Sequence, residues 1–427
     1  MIQKHVLDNG MTILIKEMHH APVASFWVWY RVGSGDERPG LTGASHWVEH
    51  MLFNGTPQFP KGETDRLISR CGGVQNGMTW LDFTTYLEVV PSHEIDLGFR
   101  IEADRMINAT FDSQEIELER TVVISERQGA ENTPCFLLDE EVRAAAFRVH
   151  NYRHDTVGEL CDLQTMARDE LWRHYHTYYA PNNAIAVLVG DVEPSRALDR
   201  LQDLFGMIPS APLPPSVRRP EPEQRGERRV IYEGEDTTAY LQLVYHVPQA
   251  SHPDFFPLLV MDAILTGPEA MAFSGGGGTN HSSRLYQALV ESGLASSVDG
   301  SLVASRDPYI YDLSATICTG HTLQETERVL LDELERISMD GISEEELAKA
   351  IKQAKAQFAY AAEYVSNQAY WIGWAEIVDS YEWFETYIDR LTSVTIGRVR
   401  DVARKYLRSA NRTVGWYVPQ GKRNNGP

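Results

Sequence analysis

The chain has 427 residues, of which 43% are hydrophobic and 23% are charged, and its formal net charge is −21. This length and composition are typical of a globular protein with two or three domains. The negative charge argues against non-specific binding of nucleic acid, which needs a basic surface, and no run of residues is long and apolar enough to span a membrane.

The cysteines and the N-terminus bear on the cellular compartment. The four cysteines are scattered without a Cys-x-x-Cys pair, which favours buried free thiols over a zinc ribbon or a disulfide framework. The first ten residues lack the apolar segment of a signal peptide. We therefore expect a cytoplasmic protein, or a periplasmic one if a leader has been removed.

In the first half of the chain, strand patterns alternate with helix patterns. The turn dipeptide Asn9-Gly10 predicts the opening of a hairpin over residues 6–17, and aromatic and β-branched residues predict a strand over 23–32. Apolar residues at three- and four-residue spacing predict helices over 95–107, 111–129 and 163–179.

A proline-rich segment divides the chain. Residues 209–229 contain six prolines among charged residues, which predicts an extended linker between residues 1–208 and residues 230–427. In the second part, the glycine run from Gly275 to Gly278 is not followed by a lysine, so we expect a loop or connector there rather than a phosphate-binding loop.

The second part repeats a feature of the first. In both, an amphipathic helix ends near a tyrosine and gives way to a strand a few residues later. Aligning Tyr178 with Tyr406 also aligns Asn183 with Asn411. This internal repeat predicts two halves of the same fold, related by duplication.

The pentad His46-Trp47-Val48-Glu49-His50 carries the clearest chemical signal. On a helix its two histidines and its glutamate share one narrow arc, because each residue advances about 100°. Two neutral imidazoles make half of a tetrahedral zinc site, and the adjacent carboxylate can take a proton from a metal-bound water. Thr42 and Ser45 are start signals for this helix, and Asn54-Gly55 is a stop signal. The alternative is an ordinary helix with two partly buried, hydrogen-bonded histidines.

A catalytic zinc site needs a third protein ligand, for which Glu126 is the best candidate. It lies on a predicted helix of the same half, and Glu119 stands seven residues earlier on nearly the same face. Two acids on the apolar side of a helix are costly to bury unless they meet a metal or a base. The alternative, which the residues alone favour, is a solvated helix face or a structural salt bridge.

Here the chain resembles a known family. The pentad, followed by Met51-x-Phe53-x-Gly55-Thr56, resembles the pitrilysin, or inverzincin, metallopeptidases, which include insulin-degrading enzyme and the mitochondrial processing peptidase. Other segments agree with the family in order and spacing, so that the resemblance covers nearly the whole chain. They are the Glu119-x₆-Glu126 helix, Gly72-Gly73-x-x-Asn76-Gly77-x-Thr79, Asp82-x-Thr84-x-Tyr86 and the stretch from Tyr178 to Asn183 with Gly190-Asp191.

The resemblance implies an α+β fold with two homologous halves, each a mostly antiparallel sheet with helices packed on it. It also implies a zinc metalloendopeptidase that hydrolyses peptides or unfolded polypeptides. Its site residues follow in order of role: the Zn²⁺ ligands would be His46, His50 and Glu126, the general base Glu49, and the supporting acid Glu119.

The resemblance further places Asn76 and Gly77 on a strand that pairs with extended substrate. For Asn76 the alternative is a turn residue, because Gly72-Gly73 precede it.

One departure concerns the second half. Active members of the family bring an Arg and, seven residues later, a Tyr to grip the substrate and stabilise the oxyanion. In this chain Val290 stands where the Arg is expected and serine replaces the Tyr, while Arg284 and Tyr286 are too close together to substitute. We therefore expect a heterodimer with a homologous, zinc-less subunit that supplies the missing pair.

Two alternatives remain open at this point. One is a homodimer that is active without the Arg and Tyr. The other is a structural scaffold subunit of the same fold. The sequence does not give the substrate, the cleavage preference or the identity of a partner.

Overall fold

A computed structural model of the protein describes residues 1–268 and 281–420. The run from Gly275 to Gly278, for which the sequence predicts a loop or connector, lies outside these ranges. The described strands are β1 (Gln3–Val6), β2 (Thr12–Glu17), β3 (Val23–Tyr30), β4 (Val74–Thr79), β5 (Thr84–Pro91), β6 (Ala184–Gly190), β7 (Arg228–Gly234), β8 (Tyr240–Val247), β9 (Ala295–Leu302), β10 (Tyr309–Ile317) and β11 (Arg412–Pro419).

The helices lie between these strands, singly or in longer runs. They are α1 (Ala44–Phe53), α2 (Glu63–Arg70), α3 (Ile95–Asn108), α4 (Ser113–Ala130), α5 (Pro134–Ala146), α6 (Leu160–Thr165), α7 (Arg168–Tyr178), α8 (Pro194–Phe205), α9 (Phe255–Leu265), α10 (Leu323–Met339), α11 (Glu344–Ala361), α12 (Val365–Val378), α13 (Tyr381–Glu385), α14 (Tyr387–Thr392) and α15 (Ile396–Tyr406). Within the described ranges, no helix is both long and apolar enough to cross a membrane.

The first sheet has the strand order β1-β2-β6-β3-β5-β4. Its β2–β6 pair is parallel and its other pairs are antiparallel. β6 is buried along its whole length and β3 along nearly all of it, because their continuous apolar runs face other layers on both sides. β4 lies at the sheet edge, a position that matters for the site.

The second sheet has five strands in the order β7-β11-β8-β10-β9, which repeats β2-β6-β3-β5-β4 of the first sheet without a counterpart of β1. It again has one parallel pair, β7–β11. The same side-chain bond marks the helix-to-strand turn in both halves. The Asn183 amide donates to the Tyr178 carbonyl at 2.9 Å, and the Asn411 amide donates to the Tyr406 carbonyl at 2.8 Å. The predicted α+β fold with two homologous halves is therefore confirmed.

The chain divides into two compact units, and each takes a segment from the other half of the sequence. The first unit comprises Met1–Gln128, His154–Arg219 and Ala362–Phe384; the second comprises Gly129–Arg153, Pro220–Ala361 and Glu385–Pro427. Helix α12 packs on β6 and β3 of the first unit, and helix α5 packs on β11 and β7 of the second. The sequence does not predict that α5 belongs to the second unit and α12 to the first. The predicted division into residues 1–208, a linker and residues 230–427 stays a prediction.

The four cysteines are free, as expected, but the expected burial of their thiols is wrong. Cys135 and Cys161 are exposed, and Cys71 and Cys318 are half-buried.

Helix α12 lies against two fully buried tryptophans of β3. The rings of Trp27 and Trp29 each lie with their centroids 5.8 Å from that of Tyr370. Two basic side chains also bind the helix at Glu376. The Lys4 ammonium donates to the Glu376 carboxylate at 2.7 Å, and the Arg31 guanidinium donates to the Glu376 carbonyl at 2.8 Å. The packing between α12 and β3 is tight at Gly373, because a Cβ atom there would lie 2.2 Å from the Trp29 indole.

We predict that Gly373→Ala lowers the free energy of unfolding by about 1–3 kcal/mol, because the overpacking cost exceeds the helix propensity of alanine. The matched control is Gly129→Ala, at an exposed helical position with no atom within 4 Å of the added Cβ. That change should leave stability unchanged or raise it by up to about 1 kcal/mol. Chemical denaturation measures both, and equal effects of the two substitutions would contradict the packing described for α12.

Candidate metal centre

Helix α1 carries the histidine pair, and a carboxylate from outside the helix holds its N-terminus. The Glu37 carboxylate accepts hydrogen bonds from the backbone N–H groups of Gly43 and Ser45, both at 2.7 Å. Burial raises the pKa of Glu37 to about 7. Helix α1 begins at Ala44, between the start signals Thr42 and Ser45, and ends before Asn54, as the sequence predicts. Neither start signal caps it, because Gly43 is the N-cap residue and the Thr42 hydroxyl donates to Asp162.

The two histidines of α1 present their Nε2 atoms to one another. These atoms lie 3.2 Å apart, and the two rings are nearly perpendicular, at 80°. The His46 side chain is 12% exposed and the His50 side chain 23%. Burial, together with the neighbouring His50, lowers the pKa of His46 to about 4, so this imidazole is neutral at pH 7 and can act as a metal ligand.

Helix α4 brings both predicted carboxylates to this pair. An Oε atom of Glu126 lies 3.7 Å from the Nε2 of His46 and 3.6 Å from that of His50. The Glu119 carboxylate lies 3.2 Å from the Nδ1 of His50 and also accepts a hydrogen bond from the Asn54 amide at 3.1 Å. The seven-residue spacing therefore places both acids on the face of α4 that meets the histidines.

The three atoms fit a small divalent cation. The ligand atoms of His46, His50 and Glu126 all lie within 4.8 Å of one another. A tetrahedral zinc site with bonds of about 2.0–2.1 Å has ligand-to-ligand edges of about 3.3–3.4 Å, close to the three edges found here. A hydrogen bond from Nδ1 of His50 to Glu119 leaves the Nε2 lone pair of His50 free to bind a metal.

Glu49 lies beside this cluster in a dry environment. Its side chain is buried, and the Thr79 hydroxyl donates to its carboxylate at 2.6 Å. Burial raises the pKa of Glu49 to about 7; the hydrogen bond from Thr79 and the nearby His50 oppose this shift, and Glu126 adds to it. A carboxylate with this pKa is suited to accept and return a proton near neutral pH.

Strand β4 closes the site on the side of Glu49. A Cβ atom on Gly77 would lie 2.8 Å from the Phe53 ring and 3.0 Å from a Glu49 carboxylate oxygen. Glycine is therefore needed here for the strand to approach α1. The sequence did not predict this packing role for Gly77 or the hydrogen bond from Thr79, although both residues belong to the motif that carries the resemblance.

The other predicted substrate-binding residue, Asn76, is exposed on the same strand. Its side-chain oxygen accepts a hydrogen bond from the Gly77 N–H at 2.9 Å. β4 pairs with β5 along one side only, so within the described residues its other side is a sheet edge. The contact with a substrate stays a prediction.

The second half has no substitute for the expected Arg and Tyr at the positions where the family carries them. Arg284 is engaged elsewhere, because its guanidinium binds the Glu346 carboxylate at 2.7 and 3.0 Å and the Gly341 carbonyl at 3.1 Å. Serine stands where the Tyr is expected, and both serines of that stretch are engaged with Thr316. The Ser296 hydroxyl donates to the Thr316 carbonyl at 3.4 Å, and the Ser297 hydroxyl donates to the Thr316 hydroxyl at 3.1 Å.

Comparison with known families agrees with this fold. Residues 12–159 match the family described as insulinase, peptidase family M16, and residues 165–354 match the peptidase M16 inactive domain. The chain belongs to the M16 peptidase family, which is the pitrilysin type.

Relatives match along most of their length. The chain is 25% identical to the uncharacterised zinc protease YmxG of Bacillus subtilis, over 95% of each chain. It is 25% identical to the zinc protease PqqE of Helicobacter pylori, over 97% of this chain and 92% of that one. It is 24% identical to the mitochondrial-processing peptidase subunit beta of Lentinula edodes, over 94% of this chain and 86% of that one.

Solved structures share the fold. A protease from Helicobacter pylori superposes with a TM-score of 0.92 at 24% identity, over 98% of this chain and all of that one. A chain of complex III from Candida albicans superposes with a TM-score of 0.81 at 16% identity, over 98% of this chain and 96% of that one. The fold is thus common to a protein described as a protease and to a chain of complex III.

Proposed function

We propose that this protein is a zinc-dependent endopeptidase subunit that hydrolyses peptides or unfolded polypeptides. The observation that carries the proposal is the convergence of His46, His50 and Glu126 on a triangle of the size that zinc requires. The names of the relatives YmxG and PqqE, both called zinc proteases, support the same metal.

His46, His50 and Glu126 would hold the zinc ion, and Glu119 would orient His50 through its Nδ1. When bound, zinc would act as a Lewis acid toward the scissile carbonyl and make a water molecule more acidic. The remaining chemistry falls to the side chains of this chain.

Glu49 would be the general base. Its carboxylate accepts a proton from the attacking water and later passes it to the leaving amine, so that the peptide bond breaks with net consumption of one water. Two features support this role. The Thr79 hydroxyl fixes one carboxylate oxygen, and burial raises the pKa of Glu49, which offsets part of the lowering that a bound zinc cation would cause.

The substrate would be an extended peptide added along the edge of β4. Backbone hydrogen bonds at a sheet edge do not depend on side-chain identity, which suits an enzyme for unfolded polypeptides. Asn76 and Gly77 lie on this edge strand, and a side chain at position 77 would collide with Phe53 and Glu49.

A homologous partner would complete the active site. The proposal of a zinc-less second subunit rests on Val290 at the position of the expected Arg, on serine in place of the expected Tyr, and on the engagement of Arg284 with Glu346. One relative, the mitochondrial-processing peptidase, is by its name a protein of more than one subunit. A homodimer is the alternative arrangement.

The second candidate function is a non-catalytic scaffold subunit. The same two substitutions favour it, as do the match of residues 165–354 to the M16 inactive domain and the structural likeness to a chain of complex III. The two functions differ in whether the histidine pair binds metal.

We predict about one zinc per chain in the wild type, measured by elemental analysis after dialysis. His50→Ala and Glu126→Gln should each abolish this stoichiometric zinc, because each removes one of three protein ligands. The matched control is Glu117→Gln, an exposed acid on the same helix, which should retain zinc. A wild-type chain that binds no zinc would favour the scaffold.

We predict that Glu49→Gln keeps the zinc but loses hydrolysis of an unfolded peptide by a factor of about 10²–10⁴, the usual contribution of a general base. Cleavage is followed by mass spectrometry in the presence of the partner subunit. Full cleavage by this variant would remove Glu49 as the base even if the zinc site were correct.

We predict that the purified chain with zinc cleaves unfolded peptide weakly, and that a homologous subunit with the Arg and Tyr raises the rate strongly. The control adds the same subunit with its Arg replaced by Ala, which should restore little activity. Strong cleavage by the chain alone as a monomer would overturn the two-subunit proposal but not the zinc site.

A further inference from the structure

The first part of the proline-rich segment is anchored along the first unit. The backbone of Ala211 exchanges two hydrogen bonds with the Asn182 side chain, at 2.8 and 3.0 Å. Pro215 lines a cavity of about 200 Å³ together with side chains of α7. Three residues later, Arg218 binds two carboxylates of the same unit. This part of the segment is therefore held at several points, although its composition predicts only an extended connector.

Arg218 bridges two acids that come from different parts of the unit. Its guanidinium donates to both oxygens of the Asp36 carboxylate at 2.9 Å, and its third nitrogen donates to the Asp82 carboxylate at 2.7 Å. The side chains of Arg218 and Asp36 are 9% and 10% exposed, and that of Asp82 is fully buried. Because a guanidinium is planar and carries its donors in a fixed fork, this bridge sets the two carboxylates relative to one another.

The two acids belong to segments whose backbones also meet. The N–H of Ser34 donates to the Trp80 carbonyl at 3.1 Å, and the N–H of Gly35 donates to the Leu81 carbonyl at 2.9 Å. The first segment leads into α1, and the second is the turn that joins β4 to β5. Arg218 therefore closes a junction between the approach to α1 and the end of β4.

Each segment holds one part of the candidate metal centre. Glu37 directly follows Asp36 and binds the N-terminus of α1, the helix that carries the histidine pair. Thr79 lies three residues before Asp82 and donates to the Glu49 carboxylate at 2.6 Å. A shift at the junction would therefore move the histidine helix relative to the strand that orients the proposed base.

We propose that Arg218 is a positioning residue of the zinc peptidase, which fixes α1 against β4 through Asp36 and Asp82. Buried ion pairs add little net stability, because the cost of desolvating the charges offsets their attraction, so the main contribution of this bridge is its geometry. A misplacement of about 1 Å far from the chemistry can lower a rate about 10²-fold. The catalytic consequence rests on the proposed function, whereas the placement of α1 rests on the hydrogen bonds alone.

The first test is the cleavage of an unfolded peptide by the Arg218→Lys chain with zinc and the partner subunit. Lysine keeps the charge, but its single ammonium cannot bind Asp36 through two nitrogens and reach Asp82 as well. We expect about one zinc per chain to remain, kcat to fall about tenfold or more, and KM to change less than about threefold. The matched control is Arg219→Lys, at the exposed neighbouring position, which should leave both constants unchanged.

A role in stability alone would give a different pattern. It would lower the folded fraction, measured by chemical denaturation, but leave the kcat of the folded, zinc-loaded molecules unchanged. Asp82→Asn weakens the same bridge from its other side and should also lower kcat. The double variant Arg218→Lys/Asp82→Asn should be no slower than the slower single variant, because both changes disrupt one bridge. Multiplying effects of the two changes would contradict the proposal.

Hydrogen exchange followed by mass spectrometry reads the same junction without zinc or substrate. In the Arg218→Lys chain, peptides that cover residues 33–45 and 79–84 should exchange faster than in the wild type, and the Arg219→Lys chain should match the wild type. Unchanged exchange in these peptides, or a wild-type kcat in Arg218→Lys, would overturn the proposal. A wild-type chain without zinc would instead remove the proposed function, and the exchange result would still decide whether Arg218 fixes α1 against β4.

Discussion

The hydrogen bonds between the Glu37 carboxylate and the start of α1 are the interaction on which the candidate site depends. A buried helix N-terminus leaves backbone N–H groups without partners, and each one left unsatisfied costs about 1–3 kcal/mol. Glu37 satisfies those of Gly43 and Ser45, and Asp162 holds the preceding loop through the N–H and hydroxyl of Thr42. With α1 fixed in this way, the orientation of both imidazoles is set before any metal binds.

Burial then separates the roles of the side chains around α1. It lowers the pKa of His46 and raises that of Glu49, because a dry environment disfavours the charged form of each. The neutral imidazole is the form that binds metal, and the carboxylate with a raised pKa is the form that exchanges protons. A metal cation at the triangle would lower the pKa of Glu49 again, so the proposed site couples metal binding to the charge of its base.

The sequence predicts those parts of the molecule that depend on local spacing. Helix geometry places the pentad on one face of α1 and the two acids on nearly one face of α4, and the internal repeat pairs the asparagines of the duplicated turns. That the acids meet the histidines is what the family resemblance implies, because the residues alone favour a solvated face or a salt bridge. The exchange of α5 and α12 does not follow from local spacing, because it depends on contacts between residues far apart in the chain. The same holds for Glu37, Gly77 and Thr79, whose roles depend on which backbone or side chain they meet.

Duplication explains why one half can keep a chemical centre while the other changes. Each half has its own sheet and its own helix-to-strand turn. The fold of one half is therefore stabilised by contacts that do not involve the chemical centre of the other. Helix α9 follows β8 as α1 follows β3, but it is buried and apolar and carries no counterpart of the pentad. Differences between the halves, rather than the fold itself, indicate where function lies.

X-ray absorption at the zinc edge of the reconstituted chain would test the proposed centre most directly. The proposal predicts a first shell of imidazole nitrogen and carboxylate oxygen at about 2.0–2.2 Å, with the outer-shell scattering of two imidazoles. A sulfur shell at about 2.3 Å, from any of the four free cysteines, or a spectrum without imidazole scattering would contradict it.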